Sequence, residues 1–428
     1  MLIELAVANF RSIRDEQRLV LVAGREKIHW DTNVFEPEQS GGTKKRLRLL
    51  RSAALYGPNA SGKTNLIRAL VTMRRVVLQS QQRIGQLPME PFRFEYLGHH
   101  TRQPTLLEVI IMVEGVRYQY GFSATDKRIH DEWLFAYPKG RAQRWFEREF
   151  HADGERDEFS FGGRLTGSKE VWRQATRPDA LFLSTAVQLY SRQLRPIFDW
   201  FKDTLRIIGI KGWHPDLSIE WCQNNQDKKQ RILKFLQTAD FGITDITVQE
   251  VLNYSGDPEN NPSEWLHKMM DPHRKRDYSV RIAHEDSDGD EVYLESRDES
   301  DGTQKMFNLA APWLDALDQG RVLVVDELHD NLHPLLVQFL IRLFHSKETN
   351  LKGAQLIFTS HETAILSDEY LRRDQIWFCE RDKEQSTRIY SLARFKPPKG
   401  AENWTQDYLV GCYGALPFLD NPSEIFGN

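Results

Sequence analysis

The residues best placed to do chemistry lie in GPNASGKT, Gly57 to Thr64. Two glycines, four residues of any type between them, and a Lys-Thr pair are what a polyphosphate-wrapping loop needs. Glycine lets the backbone come close with its N–H groups turned inward, and the helix that follows adds its positive N-terminus. Gly57, Pro58, Asn59, Ala60, Ser61 and Gly62 form the expected cradle. Lys63 is expected to bridge the β- and γ-phosphates of ATP, and the Thr64 hydroxyl to ligate Mg²⁺. A second chemical feature is RVLVVDELHDNLHP, in which four apolar residues, Val322 to Val325, run into Asp326-Glu327. A buried strand that ends in a carboxylate suits the edge of an α/β nucleotide site. Asp326 is the candidate for holding Mg²⁺ through water, and Glu327 for general base toward an attacking water.

Two further groups lie at informative spacings. QLIFTSHET puts His361 directly after an apolar strand, 34 residues beyond Glu327. ESDGTQK begins a helical stretch, and 22 positions separate Gln304 from Asp326, enough for a helix, the turn DQG and a strand. A serine hydroxyl, backbone amides and a helix N-terminus at Ser300 and Gly302 suit a γ-phosphate; a simple helix cap is the alternative. Ser300-Asp301-Gly302-Thr303-Gln304 resembles the signature motif of ABC-type ATPases, with Glu299 and Asp301 where that motif has leucine and glycine. In that class the serine serves the nucleotide of the opposite protomer, and a switch histidine at the position of His361 contacts the γ-phosphate and the attacking water.

These groups need elements to hold them. The stretch SAALY reads as a strand before the glycine loop, and Leu66, Leu70, Met73 and Val77 keep helical spacing after it. LIELAVANF and QRLVLVA read as two strands around the turn RSIRDE, and residues 24–48 as an exposed polar loop. TLLEVIIMVEG, VRYQYGFSAT, IHDEWLFAYPKG and AQRWFEREF read as a β-meander over 105–150. Residues 170–240 read as mainly helical, with Phe198, Trp200, Phe201 and Leu205 among the buried candidates. Residues 241–275 read as irregular and 278–296 as a hairpin. From 299 onward helix and strand alternate, as in a parallel sheet.

The chain has 428 residues, 57 basic against 61 acidic, for a net charge of −4. Coating of nucleic acid by bulk charge is therefore not expected, although local patches such as Lys44, Lys45, Arg46 and Arg48, or His273 to Arg276, keep nucleic acid open as a trigger. Three scattered cysteines form neither a disulfide framework nor a Cys-x-x-Cys site, and a reducing cytoplasm is the expected location. No apolar run reaches the length of a membrane span. DSDGDE, Asp286 to Glu291, superficially suggests calcium, but its glycine is misplaced and a hairpin turn is expected. His329, Asn331 and His333 superficially suggest an HNH nuclease; their place after Glu327 favours a role at an ATPase dimer seam.

In order, NFRSI, LYGPNASGKTNL, PFRF, ESDGTQK, DELHDNLHP, TSHET and the tail YLVGCYGALP resemble the ABC-type ATPases grouped with RecF, SMC and OLD proteins. Closer still, the chain resembles the RloA-like ATP-binding proteins of bacterial anti-phage and abortive-infection loci, loosely called AAA ATPases. The resemblance implies an α/β fold: an ABC-type P-loop ATPase head, with a mixed β-sheet plus a parallel RecA-like core, and a helical insertion. It implies an N-terminal lobe over 1–165, a mainly helical insertion over 166–277 and a C-terminal lobe over 278–428. It also implies ATP hydrolysis with Mg²⁺, a head-to-head homodimer or larger oligomer through composite sites, and a separately encoded effector. Arg11, in Asn9-Phe10-Arg11-Ser12, stands where such ATPases bring an arginine to nucleotide phosphate. Gln82 and Gln86 are the candidates for the glutamine loop. Only 67 residues follow His361, without a paired-carboxylate pattern, so no nuclease of its own is expected. A nucleotide-locked scaffold and a RecF-like DNA-repair ATPase are the alternatives.

Overall fold

The computed structural model describes residues 1–39, 46–94, 100–210, 212–239, 241–251, 277–396 and 403–417. Lys44, Lys45 and the cluster His273 to Arg276 lie outside these, as do the proline-rich positions around 257–265. The chain divides into two compact units, one of Met1–Lys211, Ala316–Asp330 and Val337–Asn428, the other of Gly212–Asp315 and Asn331–Leu336.

In the first unit, the opening strands and the meander form one seven-stranded antiparallel sheet. Its order is Arg156–Phe161, Gln143–His151, Ile129–Tyr137, Val116–Ala124, Thr105–Val113, Leu2–Ala8, Gln17–Val20. A second, six-stranded sheet runs Leu205–Ile208, Val322–Val325, Gln355–Thr359, Ser52–Tyr56, Ile376–Arg381, Thr387–Ser391. Its first five strands are mutually parallel and the last is antiparallel. The helix Lys63–Gln79 buries Leu66, Ile67, Leu70, Met73, Val76 and Val77. These belong to one apolar cluster with Leu5, Val109, Tyr120 and Phe146 of the antiparallel sheet and Leu55, Val324 and Ile357 of the parallel one. Central parallel strands are buried on both faces, and accordingly Ser52–Tyr56, Val322–Val325 and Gln355–Thr359 are buried throughout.

Several expectations are revised. Leu205–Ile208, within the stretch read as helical, is an edge strand paired with Val322–Val325. The helices Lys169–Ala175 and Phe182–Gln188 sit in the first unit, where Trp172, Phe182 and Leu183 join its core. The compact units therefore divide the chain elsewhere than at 165/166 and 277/278. Ile243–Val251, read as irregular, is a strand that extends the hairpin Asp277–Glu285/Glu291–Glu295 to three strands. Within the stretch 24–48, the described residues 24–39 and 46–48 are less open than their polarity suggests. Asn33 is buried and donates to the Tyr370 carbonyl and Gln375 Oε1, and Val34–Phe35 pairs with Leu49–Leu50. Arg46 and Arg48 both pair with Glu36.

The helix Asp301–Gln319, which belongs to the second unit as far as Asp315, contains Pro312. Proline disturbs the helical ladder, and one buried hydroxyl repairs it: Ser218 Oγ accepts from Ala311 N at 3.3 Å and donates to Phe307 O at 2.6 Å. Asp286 turns its hairpin by accepting from the backbones of Asp288 and Asp290. Among the described residues no cluster of metal-ligating side chains occurs, and no helix is long and apolar enough to cross a membrane.

The strand that carries the phosphate loop also makes the fold acid-sensitive. Gln375 Nε2 donates to Ser52 Oγ at 2.7 Å, leaving the Ser52 hydroxyl to donate to His345 Nε2 at 2.9 Å. Burial, then the Arg51 and His29 charges, push the His345 imidazole down to about 3. The folded state thus refuses a proton that the unfolded chain takes near 6.5. This contribution is complete above pH 6.5 and is lost as pH falls from there through about 3. Between pH 7 and pH 5 we expect wild type to lose about 2 kcal/mol more stability than His345→Gln. Urea unfolding at the two pH values measures it, and equal losses would exclude His345 as the source.

Candidate nucleotide-binding site

Parallel pairing brings the ends of Ser52–Tyr56, Val322–Val325 and Gln355–Thr359 to one edge of the sheet. The phosphate loop, Asp326-Glu327 and His361 follow these ends directly. The loop has the tight backbone its glycines anticipate. Gly57 has φ +145°, and a Cβ there would lie 2.2 Å from the Cys379 carbonyl oxygen; Gly62 has φ +105°, and a Cβ there would lie 2.1 Å from Thr387 Oγ1. Neither position accepts a side chain.

Lys63 opens the helix Lys63–Gln79 and is 6% exposed. Its Nζ donates to the Gly57 carbonyl at 2.7 Å and the Pro58 carbonyl at 3.0 Å. Burial lowers its pKa, offset in part by Cys379, Glu327 and Asp326. The buried Ser61 Oγ has no hydrogen-bond partner. A buried ammonium satisfied only by its own loop, beside an orphaned hydroxyl, fits a polyanion.

Across the loop, Thr64 Oγ1 donates to Asp326 Oδ1 at 3.2 Å, although 262 positions separate the two. Thr359 Oγ1 donates to the same oxygen at 2.8 Å and accepts from Glu327 N at 2.7 Å. Asp326 is 6% exposed. Carboxylate and hydroxyl oxygens are the hard donors that magnesium takes, so Thr64 and Asp326 fit the metal. Glu327 is exposed and adopts φ +51°, an unusual conformation for a residue other than glycine and one that recurs at functional sites. His361 is partly buried, its ring 5.4 Å from that of His329. Burial, then the charges of Lys63 and His329, lower it to about 4. Its imidazole is neutral at pH 7, able to donate from one nitrogen and accept at the other.

Arg11 engages a carboxylate of the protein. It sits at φ +53°, its backbone N–H donates to the Glu90 carbonyl at 2.7 Å, and its guanidinium pairs with the Glu90 carboxylate at 2.7 Å. The neighbouring Ser12 is what meets the loop: its Oγ lies 2.7 Å from Thr387 Oγ1 and accepts from Asn65 Nδ2 at 2.7 Å, and Thr387 Oγ1 lies 2.8 Å from the Ser61 carbonyl. Thr359, Ser12, Asn65 and Thr387 were not singled out as site residues by motif. Thr359 and Ser12 stand within the recognisable stretches TSHET and NFRSI, whereas Thr387 carries no sequence signal.

Ser300 caps its helix. Its Oγ accepts from Thr303 N at 3.1 Å and lies 2.8 Å from Thr303 Oγ1. A Cβ on Gly302 would stand 3.1 Å from the Asn331 carbonyl oxygen. His333 Nδ1 accepts from Leu335 N in the same way at the next helix. Gln82 and Gln86 are exposed, and Gln82 lies beyond the far end of a 17-residue helix from Lys63, about 25 Å away.

Residues 52–367, well over half of the chain, match the family described as "AAA domain, putative AbiEii toxin, Type IV TA system". The chain belongs to this AAA family. Its match begins at the strand before the phosphate loop and ends just past His361, so it takes in the loop, Asp326, Glu327, Ser300 and His361, while Ser12 and Thr387 lie outside it. No curated protein matches the sequence. Among solved structures, the SMC head domain from Thermotoga maritima has 13% identity and a TM-score of 0.40, covering 91% of this chain and 98% of that one. An Smc head domain with a coiled coil and joint derived from Pyrococcus yayanosii has 11% identity and a TM-score of 0.35, covering 91% and 96%. These values lie below what a shared topology requires, and membership of the AAA family stands on the sequence match.

Proposed function

We propose that the chain is an ATPase of the ABC type that hydrolyses ATP to ADP and phosphate. The observation that carries this reading is the meeting of Thr64, Asp326, Thr359 and Glu327 beside Lys63. It joins a polyphosphate cradle, a metal-binding carboxylate and a base on three parallel strands. Lys63 and the loop amides hold the phosphates. Asp326 and Thr64 would hold Mg²⁺, which supplies charge neutralisation for the polyphosphate. Glu327, fixed at its backbone by Thr359, takes a proton from the water that attacks the γ-phosphorus as the bond to the β-phosphate oxygen breaks. Neutral His361 orients that water. Phosphate release by wild type and by Glu327→Gln tests the reading.

The family description supports a toxin–antitoxin or defence setting. Within it we place the chain as a cytoplasmic, RloA-like subunit that senses infection and controls a separately encoded effector, with phage or nucleic acid as the trigger. We further propose that two copies join head to head through composite sites, Ser300 and Gly302 of one serving the nucleotide of the other. Mixing then has a distinctive result. Co-expressed Lys63→Ala and Ser300→Arg chains, each inactive alone, should recover roughly a quarter of wild-type turnover. Half of randomly paired dimers are mixed, and each mixed dimer has one intact site of two. Because Ser300 is a helix cap, its loss also costs about 1 kcal/mol, so the thermal midpoint of the variant is checked first. Confirmed mixed dimers without recovery would overturn independently acting composite sites.

A further inference from the structure

Beyond the phosphates, the phosphate loop has near it a cation, Arg381, and an aromatic ring, Phe94 of the PFRF stretch, to which no motif assigns a role. Ile376–Arg381 runs parallel to Ser52–Tyr56, with Phe378 opposite Tyr56, and so continues past the loop. Cys379 lies against Gly57 through its carbonyl. Arg381 lies two residues on, about 7 Å further along the strand and on the same face. Directly opposite Arg381 stands Thr387, the residue whose hydroxyl touches the Ser61 carbonyl. Arg381 is thus held at the rim of the cradle. Its Nε is buried without a hydrogen-bond partner, and one Nη donates to Gln385 at 3.2 Å.

The guanidinium lies over the ring of Phe94, 5.2 Å from its centroid. Phe94 is 52% exposed, so its ring is open to a ligand. It is nonetheless anchored. Phe92, two residues before it, is buried, and its N–H donates to Asn9 Oδ1 at 3.0 Å; Glu90 is bound to Arg11 by backbone and side chain. The turn carrying Asn9 and Arg11 is tied to the cradle through Ser12, Asn65 and Thr387. Through Glu90, Arg11 holds the segment that leads to Phe94.

We propose that Phe94 and Arg381 form the subsite for the nucleobase, the flat ring stacking on the phenyl and guanidinium planes. This rests on the phosphate-loop reading above and adds a second recognition element to it. An aromatic face and an arginine plane accept any base, since every base presents a π-face. The Nε, without a partner among the described residues, leaves one N–H for a ring nitrogen of the base or a ribose oxygen.

The test compares ATP with inorganic tripolyphosphate, which has the phosphates and no base. Affinities are measured calorimetrically in Mg²⁺ for wild type, Phe94→Ala, Phe94→Trp and Arg381→Gln. Loss of one stacking partner should weaken ATP about 5- to 150-fold. Tripolyphosphate should bind all four proteins equally, and Phe94→Trp should hold ATP at least as tightly as wild type. Equal losses for both ligands would place Arg381 on the phosphates and overturn the subsite. Unchanged ATP affinity in both Phe94→Ala and Arg381→Gln would overturn it too. Failure of wild type to bind tripolyphosphate or ATP would instead remove the phosphate-loop reading, and the subsite with it.

Discussion

Glu327→Gln is expected to bind ATP as wild type does and to lose hydrolysis by about 10²- to 10⁴-fold, the usual contribution of a general base. The two adjacent carboxylates are not equivalent. Asp326 is buried and already accepts from Thr64 and Thr359 through one oxygen, which commits it to holding a position. Glu327 is exposed, and its backbone is pinned by the Thr359 hydroxyl at φ +51°. An amide at 327 keeps the shape and cannot take a proton. An amide at 326 keeps one acceptor and loses the charge a divalent cation needs, so Asp326→Asn should lose Mg²⁺-dependent ATP affinity as well as turnover. Single-turnover phosphate release with separate ATP affinities distinguishes the two. Normal hydrolysis by Glu327→Gln beside a dead Asp326→Asn would reverse the assignment.

What the sequence made legible follows from how local each constraint is. A phosphate cradle restricts backbone angles over eight consecutive residues, so Gly57 and Gly62 announce it without any knowledge of the fold. Val322 to Val325 running into Asp326 is equally local, because a strand buried on both faces must be apolar along its length. The contacts that complete the site are not local. Ser12 meets Thr387 across 375 positions and Thr64 meets Asp326 across 262. A lone serine or threonine carries no signal until pairing brings its partner near. The edge strand Leu205–Ile208 was hidden for a related reason. Four residues are too few for a period to be read, and their strand character comes from pairing with Val322–Val325. At Arg11 the sequence shows the residue type and not its partner. Its residue type suits a phosphate, but its turn at φ +53° is built onto Glu90. Thr359, by contrast, was within reach: a hydroxyl at the end of an apolar strand, two residues before His361, is where a neighbouring carboxylate finds a donor.

Lys63→Met should separate stability from binding in opposite directions. Without nucleotide, the buried Nζ is solvated only by the Gly57 and Pro58 carbonyls, and burial already lowers its pKa. Holding a charge there works against the empty fold, so replacing it with an apolar chain of similar length should leave the thermal midpoint unchanged or raised. With ATP the balance inverts. The ammonium then faces a polyanion from a site of low solvent access, and charge pairs of that kind contribute about 2–5 kcal/mol when one partner is removed. ATP affinity should therefore fall by about 30- to 4,000-fold. Ligand that binds only the folded chain raises the midpoint in proportion to RT ln(1 + [L]/Kd). The ATP-induced rise seen in wild type should thus vanish in Lys63→Met at the same nucleotide concentration. Differential scanning fluorimetry with and without Mg·ATP measures both effects on one sample. A wild-type-sized rise in the variant would remove Lys63 from the phosphate site, whatever its effect on turnover.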